Sequence, residues 1–398
     1  MAQHEKTADP GSLNLALNAR FGGRAVSGVD RVAQQIVTAC GNLMEETGCA
    51  ASTHVAMPFG MTCYRTESAY WKTAQPVPGR LRGHLWEQFE LPWVQPDSVL
   101  LNLCNSGSIL RKRQVVMIHD AQIYLNPESY STVFRSWYRI MLPALGQRAK
   151  VVATVSNYSK VQLERFGVVP RDKAVVVYNG SDHIDHITED DSIFARHKIT
   201  KESYLFAVGS LAPHKNLARL MQAAAKRSTD APELIIAGGG NKTVFRDAGL
   251  EPPYGVRMLG HVSDGELKAL YSHALALVFP SITEGFGLPP VEAMRCGCPV
   301  IATTGGAVPE VCGEAALLVD PFEPERWTEA MNRIVSDQEL RETLTRAGRE
   351  RAGVFTWRRA AATLLAAICN AEADHDQAKM FETIAGNNNK CEFVQSLS

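Results

Sequence analysis

No stretch of the 398 residues approaches the ~18–20 uninterrupted apolar positions that a membrane-crossing helix needs. The opening MAQHEKTADPGS lacks the apolar segment of a secretory signal, so the expected location is the cytoplasm. Charge of one sign is missing too. Lys and Arg total 41 against 42 Asp and Glu, which removes any global electrostatic case for a nucleic-acid partner. The nine cysteines form no CxxC and no Cys/His spacing suited to zinc, so reduced thiols and no structural metal are expected. GxSxG, HExxH and GxGxxG are all absent from strand-turn-helix positions, against hydrolase, zinc-protease and dinucleotide readings. GGGNKT at 238–243 has the wrong glycine spacing for a Walker-type phosphate loop.

What is present is alternation. Short apolar runs separated by amphipathic stretches recur from end to end, the pattern of doubly wound α/β domains with parallel sheets. Strands are expected at Leu13–Asn18, Val99–Leu103, Val115–Ile118, Lys150–Thr154 and Ala174–Val177, with helices over Val29–Glu46 and Thr132–Leu145. A polar, acidic stretch, SDHIDHITEDDS, then interrupts the pattern. The alternation restarts with YLFAVG at 204–209 and continues through ELIIAG, VRMLG, ALALVFP, PVIAT and ALLV. This reading divides the chain into a first Rossmann-like domain (1–182), a linker (183–202), a second domain (203–353), a final amphipathic helix (354–371) and a polar tail expected to be disordered (372–398). A cleft between two such domains, at the carboxyl ends of their strands, is where ligands sit.

The densest chemical signal is FPSITEGFGLPPVEAMRCGCPVIAT, Phe279 to Thr303. A strand ends at Pro280, a glycine-rich turn follows, and Pro289 stands where a helix opens. Backbone N–H groups of Gly285, Phe286, Gly287 and Leu288 can face a phosphate in front of the positive end of that helix. Glu284 lies on the loop and Glu292 in the first helical turn, two carboxylates suited to ribose and sugar hydroxyls. The competing reading is a tight turn in which Glu292 only complements the helix dipole. Upstream, Lys215 in VGSLAPHKN and His119 at the end of the strand VVMI are each placed to reach a cleft. Gly22, Gly23 and Gly28 precede the first long helix and allow close backbone approach.

Taken together, these segments resemble the retaining glycosyltransferases of family 4, which have the two-domain GT-B fold. The resemblance rests on Glu284 and Glu292 with Gly297 and Pro299-Val300 after them, on VGSLAPHKN (208–216), GHVSDGELKALYSHA (260–274), PE at 309–310 and FTW at 355–357. In the first half it rests on NARFGGRAVSGVDRVAQQI (18–36), HD at 119–120, TVSNYSK (154–160) and YNGSD (178–182). It implies that the helix 354–371 crosses back to the first domain, and a catalytic group of His119, Lys215 and Glu284. Glu284 would contact the transferred sugar, Glu292 the nucleotide ribose and Lys215 the diphosphate, with Gly28, Ser210, Val262 and Gly285 to Leu288 completing the donor site. Ser210 departs from the family, many of whose members carry an arginine there; Arg24 is a candidate replacement.

The resemblance further implies transfer of a hexose from a nucleotide diphosphate sugar, with GDP-mannose first and UDP-glucose second, to a saccharide acceptor in polysaccharide assembly. No metal or other cofactor is expected. A polyprenyl-linked acceptor would bring the protein to the inner face of the membrane. Between Arg80 and Lys173 there are 13 Lys/Arg and 7 Asp/Glu, and FRSWYRIMLPALGQRAK suits either an anionic membrane surface or ordinary core packing. Trp71, Trp86, Trp93 and Tyr70 offer either acceptor-stacking surfaces or core. Two other readings stay open: a non-catalytic nucleotide-sugar scaffold and another GT-B enzyme such as a nucleotide-sugar epimerase.

Overall fold

The computed structural model describes residues 13–23, 27–49, 52–61, 68–238 and 252–386. Two parallel sheets organise it. The first has seven strands in the order β3-β2-β1-β4-β5-β6-β7, and the second six in the order β10-β9-β8-β11-β12-β13. In each, the order reverses beside the first strand, which leaves a crevice at the carboxyl ends. The first sheet is built from β1 Leu15–Asn18, β2 Thr53–Met57, β3 Gln75–Pro78, β4 Val99–Asn102, β5 Gln114–Met117, β6 Val151–Thr154 and β7 Ala174–Val176. The second comprises β8 Tyr204–Val208, β9 Glu233–Ala237, β10 Val256–Gly260, β11 Ala276–Phe279, β12 Val300–Thr303 and β13 Leu317–Val319. The central strands are buried throughout, as strands covered by helices on both faces must be.

The helices that position the site are α1 Gly28–Glu46, α2 Thr132–Arg148, α3 Asn157–Arg165, α4 Leu217–Ala225, α5 Asp264–Ser272, α6 Leu288–Arg295, α7 Val308–Cys312, α8 Trp357–Ala371 and α9 His375–Ala385. Ser27 caps α1 reciprocally with Asp30, and Ser263 does the same for α5 with Glu266, satisfying amides that the helix start leaves open. Pro289 and Pro290 open α6, where a missing N–H costs nothing.

Helix α8 leaves the second half and packs on α1 of the first. Its apolar face, including Ala361, Leu364, Leu365 and Ile368, is fully covered. Arg358 pairs with Glu46 at the end of α1.

One expectation, the disordered tail, is corrected. The tail is helical over His375–Ala385: Asp374 caps α9, and Ala378, Phe381 and Ala385 are buried on one side, enough to dock it on α8; residues 387–398 lie outside the described part. The linker 183–202 is structured. It holds a 3-10 turn, Asp182–His186, with His183 and Ile184 buried, and a short helix, Ser192–His197. Asp185 grips Arg295 of α6 at 2.7 Å. Trp71 and Trp86 are core, 2% and 0% exposed, and the Trp71 indole donates to Val37 O, so neither stacks on a ligand.

Candidate active site

Lys215 follows β8 in the turn Pro213–Lys215, and Glu284 follows β11. Their side chains meet: Lys215 Nζ is 2.7 Å from Glu284 Oε1, and both are largely shielded. The loop bearing Glu284 is held from three sides. Ile282 N donates to His214 O at 2.7 Å, and Ala307 N donates to Glu284 O at 3.0 Å. Gly305 and Gly306 let the following turn lie directly on the loop; a Cβ on Gly306 would sit 2.4 Å from Glu284 N. Gly287, at φ +94°, makes the sharp entry into α6 that a β-carbon would oppose.

The first half closes over this loop. Ser156 and Ser159 Oγ both donate to Gly285 O, at 2.6 and 3.0 Å, and Gln122 Nε2 donates to Thr283 O at 3.0 Å. A Cβ on Gly285 would lie 2.7 Å from His119 O and 2.9 Å from Asp120 Cβ. Glu310 of α7 reaches across to the start of α3, accepting from Asn157 N and Tyr158 N at 2.8 and 2.9 Å and from the Tyr178 hydroxyl at 2.7 Å. A carboxylate there meets the positive end of the helix.

His119 is buried, and its Nε2–H donates to Leu103 O at 2.8 Å. Burial lowers its pKa to about 4, so the ring is neutral at physiological pH. Asp120 moves the other way. Burial first, and then the nearby Glu284 carboxylate, push it up to about 6 against the pull of Lys215. Burial, then Asp120 and Glu284, also raise the Tyr130 phenol, and Ser129 Oγ lies 3.2 Å from His214 Nδ1. Asp120, Glu284 and Lys215 therefore converge where the two sheets face each other, while the His119 ring turns to Leu103 and feels Asp30. Asp120 enters this group through its environment rather than through a role read from the sequence.

Glu292 lies apart from this group and a full turn into α6, as its fifth residue rather than in the first turn; complementing the dipole is not what holds it. Its Oε1 is 3.1 Å from His183 Nε2, and Tyr271 donates to Oε2 at 3.4 Å. Phe286 turns inward against Tyr178 and Phe355, leaving only its backbone for a ligand. Gly28 opens α1 with free space where a Cβ would stand. Ser210 is exposed and Val262 half-buried. Ser210 Oγ accepts from Ala212 N at 3.5 Å. Arg24, proposed to replace the missing arginine, lies outside the described residues.

Residues 189–351 match the family model for glycosyl transferases group 1. The chain is 34% identical over 229 residues to the O-antigen chain mannosyltransferase RfbU of Salmonella typhimurium, a match covering 56% of this chain and 62% of that protein. It is 30% identical over 257 residues to O-antigen chain mannosyltransferase B of Escherichia coli, covering 62% of this chain and 67% of that one. The chain belongs to the group 1 glycosyl transferases. Sucrose-phosphate synthase from Thermosynechococcus elongatus superposes on 91% of this group 1 chain with a TM-score of 0.69 at 17% identity, along its whole length. HepE of Anabaena, solved with UDP and glucose, covers 88% of this chain and 98% of its own, at a TM-score of 0.64 and 18% identity. The shared fold is GT-B.

Helix α2, the segment weighed for membrane contact, packs one face on the core. Tyr138, Met141, Leu142 and Leu145 face the core, while Val133 and Ile140 are exposed. Among the described residues no helix is long and apolar enough to cross a membrane.

Proposed function

We propose that this group 1 glycosyl transferase moves a hexose from a nucleotide diphosphate sugar to an acceptor hydroxyl with retention of configuration. GDP-mannose is the first donor and UDP-glucose the second. The work is assembly of a cell-surface polysaccharide, with a saccharide acceptor carried on a polyprenyl diphosphate at the inner face of the membrane. The observation that carries the reading is the meeting of Lys215 and Glu284 at the junction of the two sheets, next to Asp120. The O-antigen mannosyltransferases among the relatives support mannose.

In the proposed reaction the ammonium of Lys215 and the amino end of α6 receive the diphosphate and hold the charge that grows as the sugar C1–O bond breaks. The acceptor oxygen bonds to C1 from the same face, and its proton passes to the departing phosphate oxygen. Glu284 orients the sugar, and the neutral His119 offers hydrogen bonding without adding charge. Contact between the halves at Gly285 excludes water, which limits donor hydrolysis. Lysine and helix supply the positive charge, so the step as written uses no metal.

The test is nucleotide release by the purified chain from GDP-mannose and UDP-glucose, with and without a polyprenyl-diphosphate-linked saccharide, and proton NMR of the new linkage. Acceptor-dependent release with a retained anomer is expected. Release without acceptor, or an inverted product, overturns the reaction as proposed. Ser210 favours a second reading, a nucleotide-sugar-binding scaffold, which a chain that binds nucleotide yet turns over neither donor would support.

A further inference from the structure

The chain passes between its two halves twice, and the crossings touch. Ser181 N donates to Phe355 O at 3.0 Å, and Trp357 N donates to Asp182 Oδ1 at 2.8 Å. The Trp357 indole Nε1–H donates to His183 Nδ1 at 3.0 Å. An indole nitrogen can only donate, so His183 Nδ1 is an acceptor and the proton of the neutral ring is on Nε2. That Nε2 faces Glu292 Oε1 at 3.1 Å, with both side chains almost wholly buried. Tyr271 of α5 occupies the other oxygen, and Arg31 of α1, paired with Asp264 at 2.6 Å, adds a positive field at the same carboxylate.

We infer that His183 is the positioning residue for Glu292. A carboxylate accepts up to about four hydrogen bonds. Two donors set at fixed angles by α5 and the linker orient its plane, and the remaining lone pairs serve the ligand. Trp357 sets the ring that does this, so the aromatic residue opening α8 acts on nucleotide affinity from the second crossing without touching the nucleotide. This rests on the proposed reading of Glu292 as the group that holds the ribose hydroxyls.

The experiment compares calorimetric Kd values for GDP and 2′,3′-dideoxy-GDP, and for the matching UDP pair, in wild type, Glu292→Gln, His183→Phe, His183→Gln and Trp357→Phe. Wild type is expected to prefer the ribose form, and Glu292→Gln to lose most of that preference. His183→Phe is expected to weaken the ribose nucleotide roughly tenfold, ~1.4 kcal/mol, while leaving the dideoxy nucleotide unchanged. His183→Gln, which restores an N–H toward Glu292, should recover most of the preference. Trp357→Phe, which removes one hydrogen bond and keeps an aromatic ring, should lose about threefold.

A merely structural role for His183 would weaken both sugars alike, and that result overturns the inference. So does a His183→Phe protein that keeps the full ribose preference while Glu292→Gln loses it. If wild type and Glu292→Gln bind ribose and dideoxy forms equally, the reading of Glu292 fails first, and the two failures are thereby told apart. Should His183→Phe not fold, His183→Gln and Trp357→Phe carry the test: a ribose preference intact in Trp357→Phe refutes the coupling through the indole.

Discussion

Replacing Glu284 with glutamine should make the protein bind a free nucleoside diphosphate more tightly while making it a poorer transferase. Without ligand, the Lys215 ammonium is held by the Glu284 carboxylate at 2.7 Å, and a diphosphate has to share or break that pair. At an effective dielectric of about 20, two charges at this separation attract by ~6 kcal/mol. That is a ceiling, because desolvation of both ions offsets much of it. A hydrogen bond to a charged group nets ~1.5–3 kcal/mol, and the glutamine amide oxygen keeps a weaker acceptor in place. About 1–2 kcal/mol of competition is then relieved, worth roughly 5- to 30-fold in Kd. Titration calorimetry of GDP and UDP against wild type and Glu284→Gln reads this directly, with Lys215→Met as the control that should bind more weakly. The corresponding monophosphates should gain less, since they present less charge to Lys215. A folded Glu284→Gln protein that binds the diphosphates no better than wild type would refute the reasoning.

Two further outcomes follow from the same cluster. Asp120 has its pKa raised from 3.8 to about 6, so the fold favours its protonated form; the stabilisation is complete below pH 3.8 and is lost as pH rises through 6. Asp120→Asn should therefore gain on wild type by ~1.4 kcal/mol between pH 5 and pH 7, the worth of a tenfold change in proton affinity; urea midpoints that move in parallel would show that the carboxyl is not perturbed. Gly285→Ala places a methyl 2.7 Å from His119 O, so the halves should separate. Small-angle scattering should give a larger radius of gyration and turnover should fall at least tenfold, with an unchanged circular dichroism spectrum.

The strands legible in the sequence are those buried on both faces, because such strands are continuous apolar runs: Val99–Asn102, Val151–Thr154 and Ala276–Phe279 lie within two residues of where the pattern put them. Gln75–Pro78 was illegible for the opposite reason. It is an exposed edge strand with two prolines, and an edge is where proline's missing donor is tolerated. Overall polarity hides helix α9, although Ala378, Phe381 and Ala385 keep one face apolar. Glu284, Glu292 and Lys215 stand out as candidates because each sits in a local motif with a fixed spacing. Their partners were not. Trp357 and His183 are 174 residues apart, and Asp120 owes its shift to burial and to Glu284 on the other half of the molecule, relations that no local pattern encodes.

The packing of α8 on α1 bears on how the polypeptide is made. Ile36, Val37 and Cys40 of α1 are buried in the same core as Leu364, Leu365 and Ile368, so part of that core is supplied by a helix made only after every strand of the second sheet. During synthesis from the amino end, the first half emerges complete in its strands yet with one apolar face uncovered. It stays so until the whole second half has passed through the ribosome. Between completion of the first sheet and emergence of α8 the nascent protein therefore carries a stretch of exposed hydrophobic surface, a natural target for a chaperone. A ribosome stalled anywhere before Trp357 holds an unfinished first domain, however long the nascent chain has become.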